Sequence, residues 1–224
     1  MGSVFGKQTV AEPPFELLLQ RAKGSVETAY EIRRYGERFV AEASYTGDDN
    51  SPFRLLAGYI GVFGDPQNEA SESIDMTAPV MMHHEKKGGE AIDMTAPVMR
   101  KENQQGEKIM QFVLPEKYDE ISKIPKPTNP KVHIREIPPT VGAVHRYSGS
   151  MDDTHSQATA MALREQLKKD GVDLSESYVM QEYQFMGYNP PFTLPMFRRN
   201  EVWIELSKEQ ADKLVQDYSP SDAN

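Results

Sequence analysis

Apolar and polar residues alternate along short stretches of this chain in two successive series, and each series is interrupted by one helical pattern. Alternation predicts strands, whereas apolar residues three and four positions apart predict a helix. The elements predicted in the first series lie at 30–33, 38–45, 51–63 (the helix), 74–81, 92–99 and 108–114. Those predicted in the second series lie at 132–136, 141–147, 153–169 (the helix), 177–188 and 200–206.

Both series have the order strand-strand-helix-strand-strand when the two copies at 74–81 and 92–99 are counted as one strand position, and this order predicts the fold class. Hairpin-connected strands with one helix per half are typical of mainly antiparallel α+β proteins. Two such halves can fuse their sheets into one barrel, which removes exposed strand edges. The sequence therefore predicts an α+β fold with an antiparallel β-barrel of two pseudo-symmetric halves.

The Pro- and Lys-rich stretch 115–130 reads as the connector between the halves, without a Gly/Ser linker. We expect a loose N-terminal extension over 1–24 and a single domain over 25–206, with halves of about 25–115 and 131–206. A C-terminal tail over 207–224 follows, and its polar end is expected to fray after Ser219.

An eight-residue string, Ile-Asp-Met-Thr-Ala-Pro-Val-Met, occurs twice, at Ile74–Met81 and Ile92–Met99. Its Ile, Met, Thr and Val residues suit a half-buried strand, and its proline confines that strand to an edge, an end or a bulge. The polar stretch 83–90 between the copies contains Gly88-Gly89, which is a turn signal. A hairpin-like excursion is therefore expected between the two copies.

Composition excludes several classes of function. The net charge of −9 and the absence of a Lys/Arg run argue against nucleic-acid binding. The chain contains no cysteine, which excludes disulfides, thiolate catalysis and a Cys-ligated metal. No apolar stretch approaches the roughly 18 residues of a membrane span, and no targeting segment is recognisable, so a cytoplasmic protein is expected.

The five histidines are scattered and suggest no chelating site: His83, His84, His133, His145 and His155. Neighbouring residues on a strand point to opposite faces, so His83 and His84 cannot jointly hold one ion. A solvated turn is the favoured interpretation of this pair, and a metal or haem-iron role is the alternative. No phosphate-binding glycine loop or common hydrolase motif is present.

One face of the first predicted helix carries only small residues, namely Ala57, Gly58 and Gly61. Glycine inside a helix costs about 1 kcal/mol relative to alanine, so two glycines need a reason. The small face either packs against a strand or supports a flat ligand. In the second case Phe53 would contact the ligand ring and Arg54 would lie near an acidic group.

The loop at 187–201 is stiffened by prolines and is unusually apolar, with Phe192, Leu194, Met196 and Phe197. These residues either fold back as a lid or form the wall of an apolar pocket. In a pocket, Arg198 or Arg199 would be available to carboxylates.

At these residues the chain resembles the SOUL/haem-binding protein family, over about residues 25–206. The doubled Met-Thr-Ala-Pro-Val string followed by 110–115 is most similar to the cytosolic members of plants and green algae. The matching pieces are Tyr30-Glu31-Ile32-Arg33, the helix 53–61 running into Phe63-Gly64, both Met-Thr-Ala-Pro-Val strings, Gly187-Tyr188-Asn189-Pro190-Pro191, and 198–203.

The resemblance implies a distorted antiparallel barrel flanked by two helices. It also implies non-covalent binding of haem or a related tetrapyrrole, without a fixed axial histidine, in a groove between the first helix and the loop joining the last two strands. Animal relatives tend to carry lysines for the haem propionates where this chain has Gly58 and Thr193, so Arg54 and Arg198 would have to replace them. The binding residues expected on this basis are Phe53, Arg54, Ala57, Gly58, Gly61, Tyr188, Met196, Phe197 and Arg198.

Three functions follow as hypotheses. The first is a haem carrier or buffer without chemistry of its own, whose partner is haem or a porphyrin. The second is a small-molecule hydrolase, because the two-half architecture also resembles GyrI-like domains; Glu182 or Glu201 with Tyr188 would then act as acid and base. The third is an interaction module that hands haem to a haem-degrading enzyme.

Overall fold

An antiparallel sheet of nine strands and four α-helices make up the part of the chain that the computed structural model describes, residues 11–47, 49–84, 108–189 and 193–219. The strands are β1 (Phe15–Arg21), β2 (Tyr30–Tyr35), β3 (Arg38–Tyr45), β4 (Val80–His84), β5 (Lys108–Val113), β6 (His133–Ile137), β7 (Thr140–Tyr147), β8 (Gln184–Gly187) and β9 (Asn200–Glu205). The helices are α1 (Asn50–Ile60), α2 (Asp153–Lys169), α3 (Glu176–Glu182) and α4 (Lys208–Tyr218). Short 3-10 turns lie at Ile121–Lys123 and Pro195–Phe197.

The strand order shows the internal duplication directly. The order across the sheet is β1-β2-β7-β9-β8-β4-β5-β3-β6. When β2, β3, β4 and β5 are exchanged with β6, β7, β8 and β9, the same order is read backwards, apart from the added β1. The pseudo-twofold axis therefore passes between β4 and β8, where Met81 faces Met186. The expected two pseudo-symmetric halves are present, and each contributes strands that pair with the other half.

The sheet remains open, in contrast to the closed barrel that we expected. β1 and β6 stand at opposite ends of the strand order, and no ladder joins them in the described part of the chain. β1 lies outside the duplicated series and extends one end of the sheet by pairing with β2. The α+β class and the antiparallel pairing are as predicted.

Alternation within the strands divides the core between the two faces of the sheet. On one face, α1 packs over β3 and β5, with Leu56 and Phe112 in that cluster. On the same face of the other half, α2, α3 and α4 cover β7 and β9, with Leu163 and Ile204 buried among them. The intervening residues point to the opposite face, where Trp203 lies in a smaller cluster. The central strands β4 and β8, where the two halves meet, therefore lie between the two sets of helices.

Several local predictions are wrong. The extension over 1–24 is not loose throughout, because 15–21 forms β1. The strand predicted over 177–188 is helical in its first part: Ser175 accepts a hydrogen bond from the Tyr178 amide and caps α3. The C-terminal tail contains α4, which begins with a capping box formed by Ser207 and Gln210.

The histidine pair also differs from expectation. The strand predicted over 74–81 begins only at Val80, after Pro79, and β4 continues through His83 and His84, which therefore do not lie in a solvated turn. The second octapeptide at 92–99 and the expected excursion from 85 onward lie outside the described residues. Within the described chain, no helix combines the length and the apolar character needed to cross a membrane.

Candidate functional site

A groove of about 280 Å³ opens where α1 lies beside the central strands. Its floor follows from strand register, because Met82 pairs with both Met110 on β5 and Phe185 on β8. These three side chains therefore form one row across three strands. In the adjacent row Val80 pairs with Gly187, whose missing side chain leaves the floor open. We call this cavity the α1 groove.

The rim of the α1 groove comes from the start of α1, from the turn that follows that helix, and from the segments before α2 and after β8. Phe53 and Phe63 stand on the α1 side, with ring centroids 6.4 Å apart. Phe53 also packs edge-on against Phe112 at 5.5 Å, which anchors the rim to the core. The remaining rim residues are Asp49, Asn50, Arg54, Met151 and Asn189.

The end of α1 explains how Phe63 reaches the rim. Gly61 adopts a left-handed conformation with φ of 87°, and its amide donates to the carbonyl oxygens of Ala57 and Gly58. This conformation strongly favours glycine and ends the helix earlier than the predicted Gly64. The chain then turns, and Phe63 is left 66% exposed at the mouth of the groove.

The chemistry of the groove is mainly apolar, with one cation and one carboxylate, Asp49, at its edge. Seven lining side chains are aromatic, thioether or aliphatic, and Arg54 is the cation among the described lining residues. Large apolar surfaces left open in this way are typical of ligand sites. A flat apolar ligand with an acidic substituent fits this combination of walls and charge.

A small polar recess of about 20 Å³ adjoins the groove and shares Asp49, Met82, Met151 and Phe185 with it. Lys108 from β5 lies there and donates to Asp153 at the start of α2 over 2.6 Å. Burial alone would lower the pKa of Lys108, but the hydrogen bond and charge of Asp153 raise that pKa above its ordinary value. The recess therefore contains an ion pair between the two halves.

The small face of α1 does not open onto the groove. Ala57 is fully buried in the core beneath the helix. A Cβ on Gly58 would lie 3.2 Å from the Gln67 side chain, and one on Gly61 would lie 2.8 Å from Pro66. The loop after α1 therefore packs against both glycines, and this protein contact explains the small residues. Of the α1 residues expected to bind a ligand, Phe53 and Arg54 line the groove, together with Asn50 at the start of the helix.

The expected loop residues are spread over different environments. Met196 is 72% exposed and Phe197 is partly exposed in a 3-10 turn. Arg198 donates through Nε to the Thr193 carbonyl at 2.8 Å. The amide of Gly149 donates to the Pro195 carbonyl at 2.9 Å, which ties this turn to the segment that contributes Met151 to the groove. Phe192 lies outside the described residues.

Tyr188 is buried on the opposite face of the sheet rather than in the groove. Its hydroxyl donates to Glu201 Oε2 at 2.7 Å, and the Arg199 guanidinium stacks over its ring at 3.8 Å. Arg33 donates to both carboxylate oxygens of Glu201, at 2.8 and 3.2 Å. These four residues form a buried charge network.

This network does not have the properties of a general base. Burial alone would raise the pKa of the Glu201 carboxyl, but Arg33 and Arg199 hold that pKa below its ordinary value. A catalytic carboxylate normally needs a raised pKa and access to substrate, whereas the Glu201 side chain is 0% exposed. The pair of Glu201 and Tyr188 therefore serves the structure, and no proton transfer to a substrate follows from it.

Sequence reasoning missed most of the groove floor. Val80, Met82, Met110, Phe185 and Gly187 come from three strands whose adjacency depends on the sheet order. The alternation of Val80 and Met82 was the available local signal, because it places both side chains on one face of β4. Met151 precedes α2, and no pattern in the sequence indicated that it would line a groove.

Among histidine, cysteine, aspartate and glutamate residues in the described ranges, no group of three is arranged to hold a metal ion. The ligand expected from the sequence is a flat group such as haem. The aromatic and thioether walls of the α1 groove suit the disc of such a group, and Arg54 suits its propionates.

Solved structures are similar to this chain at low sequence identity. The C-terminal domain of EcmrR superposes with a TM-score of 0.50 and 13% identity, covering 81% of this chain and 99% of that chain. A hydrolase from Listeria innocua gives a TM-score of 0.49 with 8% identity, covering 80% of this chain and 92% of that one. The first similarity supports the α+β architecture alone.

No individually curated protein matches the sequence significantly. The family described as SOUL heme-binding protein matches residues 10–205, which is most of the chain and includes β1 through β9. This protein therefore belongs to the SOUL heme-binding protein family.

Proposed function

We propose that this protein binds haem or a related tetrapyrrole in the α1 groove and acts as a cytoplasmic carrier or buffer. The observation that carries the proposal is an open apolar groove with Phe53, Phe63, Met82 and Phe185 in its walls, in a chain of a haem-binding family. The ligand would lie between the aromatic rim and the row of side chains on β8, β4 and β5. Arg54 would meet a propionate at the solvent edge.

A carrier must release its ligand, and the site is suited to release. The groove is open to solvent and offers, among its described lining residues, no histidine to fix the iron strongly. Strong axial ligation belongs to proteins that keep haem for redox work. The hydrolase alternative is weaker, because Glu201 is neutralised by two arginines and does not line the groove.

Titration with haem, followed by visible absorbance, tests the proposal. Phe63→Ala removes an exposed wall of the groove, so it should lower the affinity about tenfold, equivalent to about 1.4 kcal/mol, with little effect on folding. Ile121→Ala is the matched control, because Ile121 is 59% exposed and lies outside the groove.

Two results would contradict the proposal: no change in the haem spectrum with the unmodified protein, or equal loss of affinity in both variants. The same titration with metal-free protoporphyrin and with a chlorophyll intermediate would identify the preferred tetrapyrrole.

A further inference from the structure

Three methionines from three different elements contribute to the α1 groove: Met82 from β4, Met110 from β5 and Met151 from the segment before α2. The described lining contains no histidine, cysteine, lysine or tyrosine. Thioether sulfur is a soft neutral donor that ligates haem iron in some proteins. The methionines are therefore the soft donors that this groove offers to an iron atom.

Two of these three methionines, Met82 and Met110, pack within the sheet and its core. Met110 is almost fully buried in the core cluster beneath α1. Met82 is its register partner and packs against the same cluster. Met151 is different, because it belongs to none of the three hydrophobic clusters formed by the described residues. Core packing therefore does not account for a methionine at position 151.

The Met151 sulfur lies beside the open part of the floor. Its Sδ atom is 3.9 Å from the position that a Cβ on Gly187 would occupy. Because glycine leaves that position empty, the sulfur borders the space beside Gly187, which the Phe185 ring also borders at 3.3 Å. A longer side chain at position 187 would fill this space beside the sulfur.

The backbone around Met151 is fixed, although its side chain has freedom to adjust. Asn200 Nδ2 donates to the carbonyl oxygens of Gly149 and Ser150 at 3.3 and 3.4 Å. On the other side, Asp152 caps α2 by accepting the His155 amide at 2.9 Å. Methionine has three rotatable bonds, so its sulfur can move while the segment stays in place.

We propose that the Met151 thioether is an axial ligand of the iron of haem bound in the α1 groove. This proposal rests on the proposed function, since it assigns a ligand within that same site. A neutral thioether favours ferrous over ferric iron and raises the reduction potential. It also binds iron less tightly than imidazole does, which suits a protein that releases haem.

Spectroscopy and potentiometry of the haem complex test the assignment. In Met151→Leu, the near-infrared band of thioether-ligated ferric haem should disappear and the reduction potential should fall. The affinity for metal-free protoporphyrin should stay within about twofold, because leucine keeps an apolar wall of similar size. Met196→Leu is the control and should change none of these, since Met196 is 72% exposed and lies outside the groove.

His83→Ala addresses the nearest rival ligand, because His83 lines the adjoining recess. This variant should keep the thioether band. Loss of the haem spectrum in His83→Ala with the fold intact would overturn the proposal, as would identical spectra for the unmodified protein and Met151→Leu. A band that survives Met151→Leu and disappears in Met82→Leu would place the ligand on β4 and also overturn it.

The two proposals fail differently. If haem binds and the band is absent, the proposed function stands and the thioether assignment is wrong. If the unmodified protein binds neither haem nor metal-free protoporphyrin, the proposed function itself is wrong.

Discussion

Arg33 on β2 and Glu201 on β9 are 168 residues apart and form a bidentate ion pair that is closed off from solvent. Their strands are both neighbours of β7, so the pair reaches across one strand on the face opposite the helices. Arg199 adds a second cation at 2.9 Å from Glu201 Oε1. Opposite charges buried together in this way make each partner dependent on the other.

Glu201→Gln should therefore destabilise the protein by about 3 kcal/mol at neutral pH, because Arg33 and Arg199 would lose their shared buried counter-charge. Among the described residues, Arg33 would keep only the partly exposed Glu31 as an acidic partner. Urea unfolding measures this change. Glu16→Gln is the matched control: Glu16 pairs with Arg34 at 2.7 Å, but both side chains are exposed. The control should lose no more than about 1 kcal/mol. Equal losses in the two variants would contradict the role of burial.

The same pair predicts a dependence on pH. The pKa of Glu201 is held below its ordinary value of 4.5, so the folded state binds this proton less readily than the unfolded state does. The stabilisation is complete above the unfolded-state pKa and is lost as the pH falls through the folded-state pKa. The difference in unfolding free energy between the unmodified protein and Glu201→Gln should shrink below about pH 4. A difference that stays constant into acid would refute this.

Gly142 on β7 should tolerate no side chain. A Cβ there would lie 2.5 Å from the Ile204 carbonyl oxygen and 2.5 Å from the Trp203 ring. Because a backbone atom cannot move aside cheaply, Gly142→Ala should cost about 1 to 3 kcal/mol or more. Gly36→Ala is the control, since no atom lies within 4 Å of its added Cβ. Thermal unfolding should show a lower midpoint for the first variant alone.

Much of this fold follows from the sequence because alternation is a local property. The predicted strand 38–45 matches β3, and the predicted helix 153–169 matches α2 at both ends. The region before β8 misled the prediction, because Tyr178 and Val179 resemble strand residues while packing decides in favour of a helix. The Ser175 cap was the overlooked signal.

The site was less predictable than the fold, because its floor depends on which strands become neighbours. Nothing in the local pattern places Met110 beside Met82 and Phe185. The small residues of α1 were a true signal of close approach, but sequence alone did not reveal that the partner is the chain's own Gln67 and Pro66. Phe53 and Arg54, which precede that packed turn, line the α1 groove.

A pair of glycine variants locates the ligand. Gly187→Leu would put a branched side chain on the floor of the α1 groove, where an added Cβ already lies 3.3 Å from Phe185. Haem affinity should fall at least about tenfold in titrations. Gly58→Leu would displace the Gln67 side chain on the far side of α1 and should leave haem affinity unchanged. The opposite ranking would move the ligand to the small face of α1.

The interleaved strands predict one cooperative unfolding unit over about 25–206. β2 and β3 of the first half pair with β7 and β6 of the second half. Neither half can therefore complete its sheet alone, and calorimetry should show a single transition. Fragments 25–115 and 131–206, expressed separately, should not fold. Two transitions, or a stable fragment, would contradict this prediction.

Internal duplication predicts a symmetry-related counterpart of the α1 groove at the start of α2. In this chain, side chains of the protein occupy that position. Counted from the first residue of each helix, Ser156 in α2 is the counterpart of Phe53 in α1. Ser156 Oγ lies 3.2 Å from the Tyr183 hydroxyl, which the added helix α3 brings to that position. The recess left beside them is about 20 Å³, compared with about 280 Å³ for the α1 groove. On the proposed function, we therefore expect the twofold architecture to bind one ligand per chain.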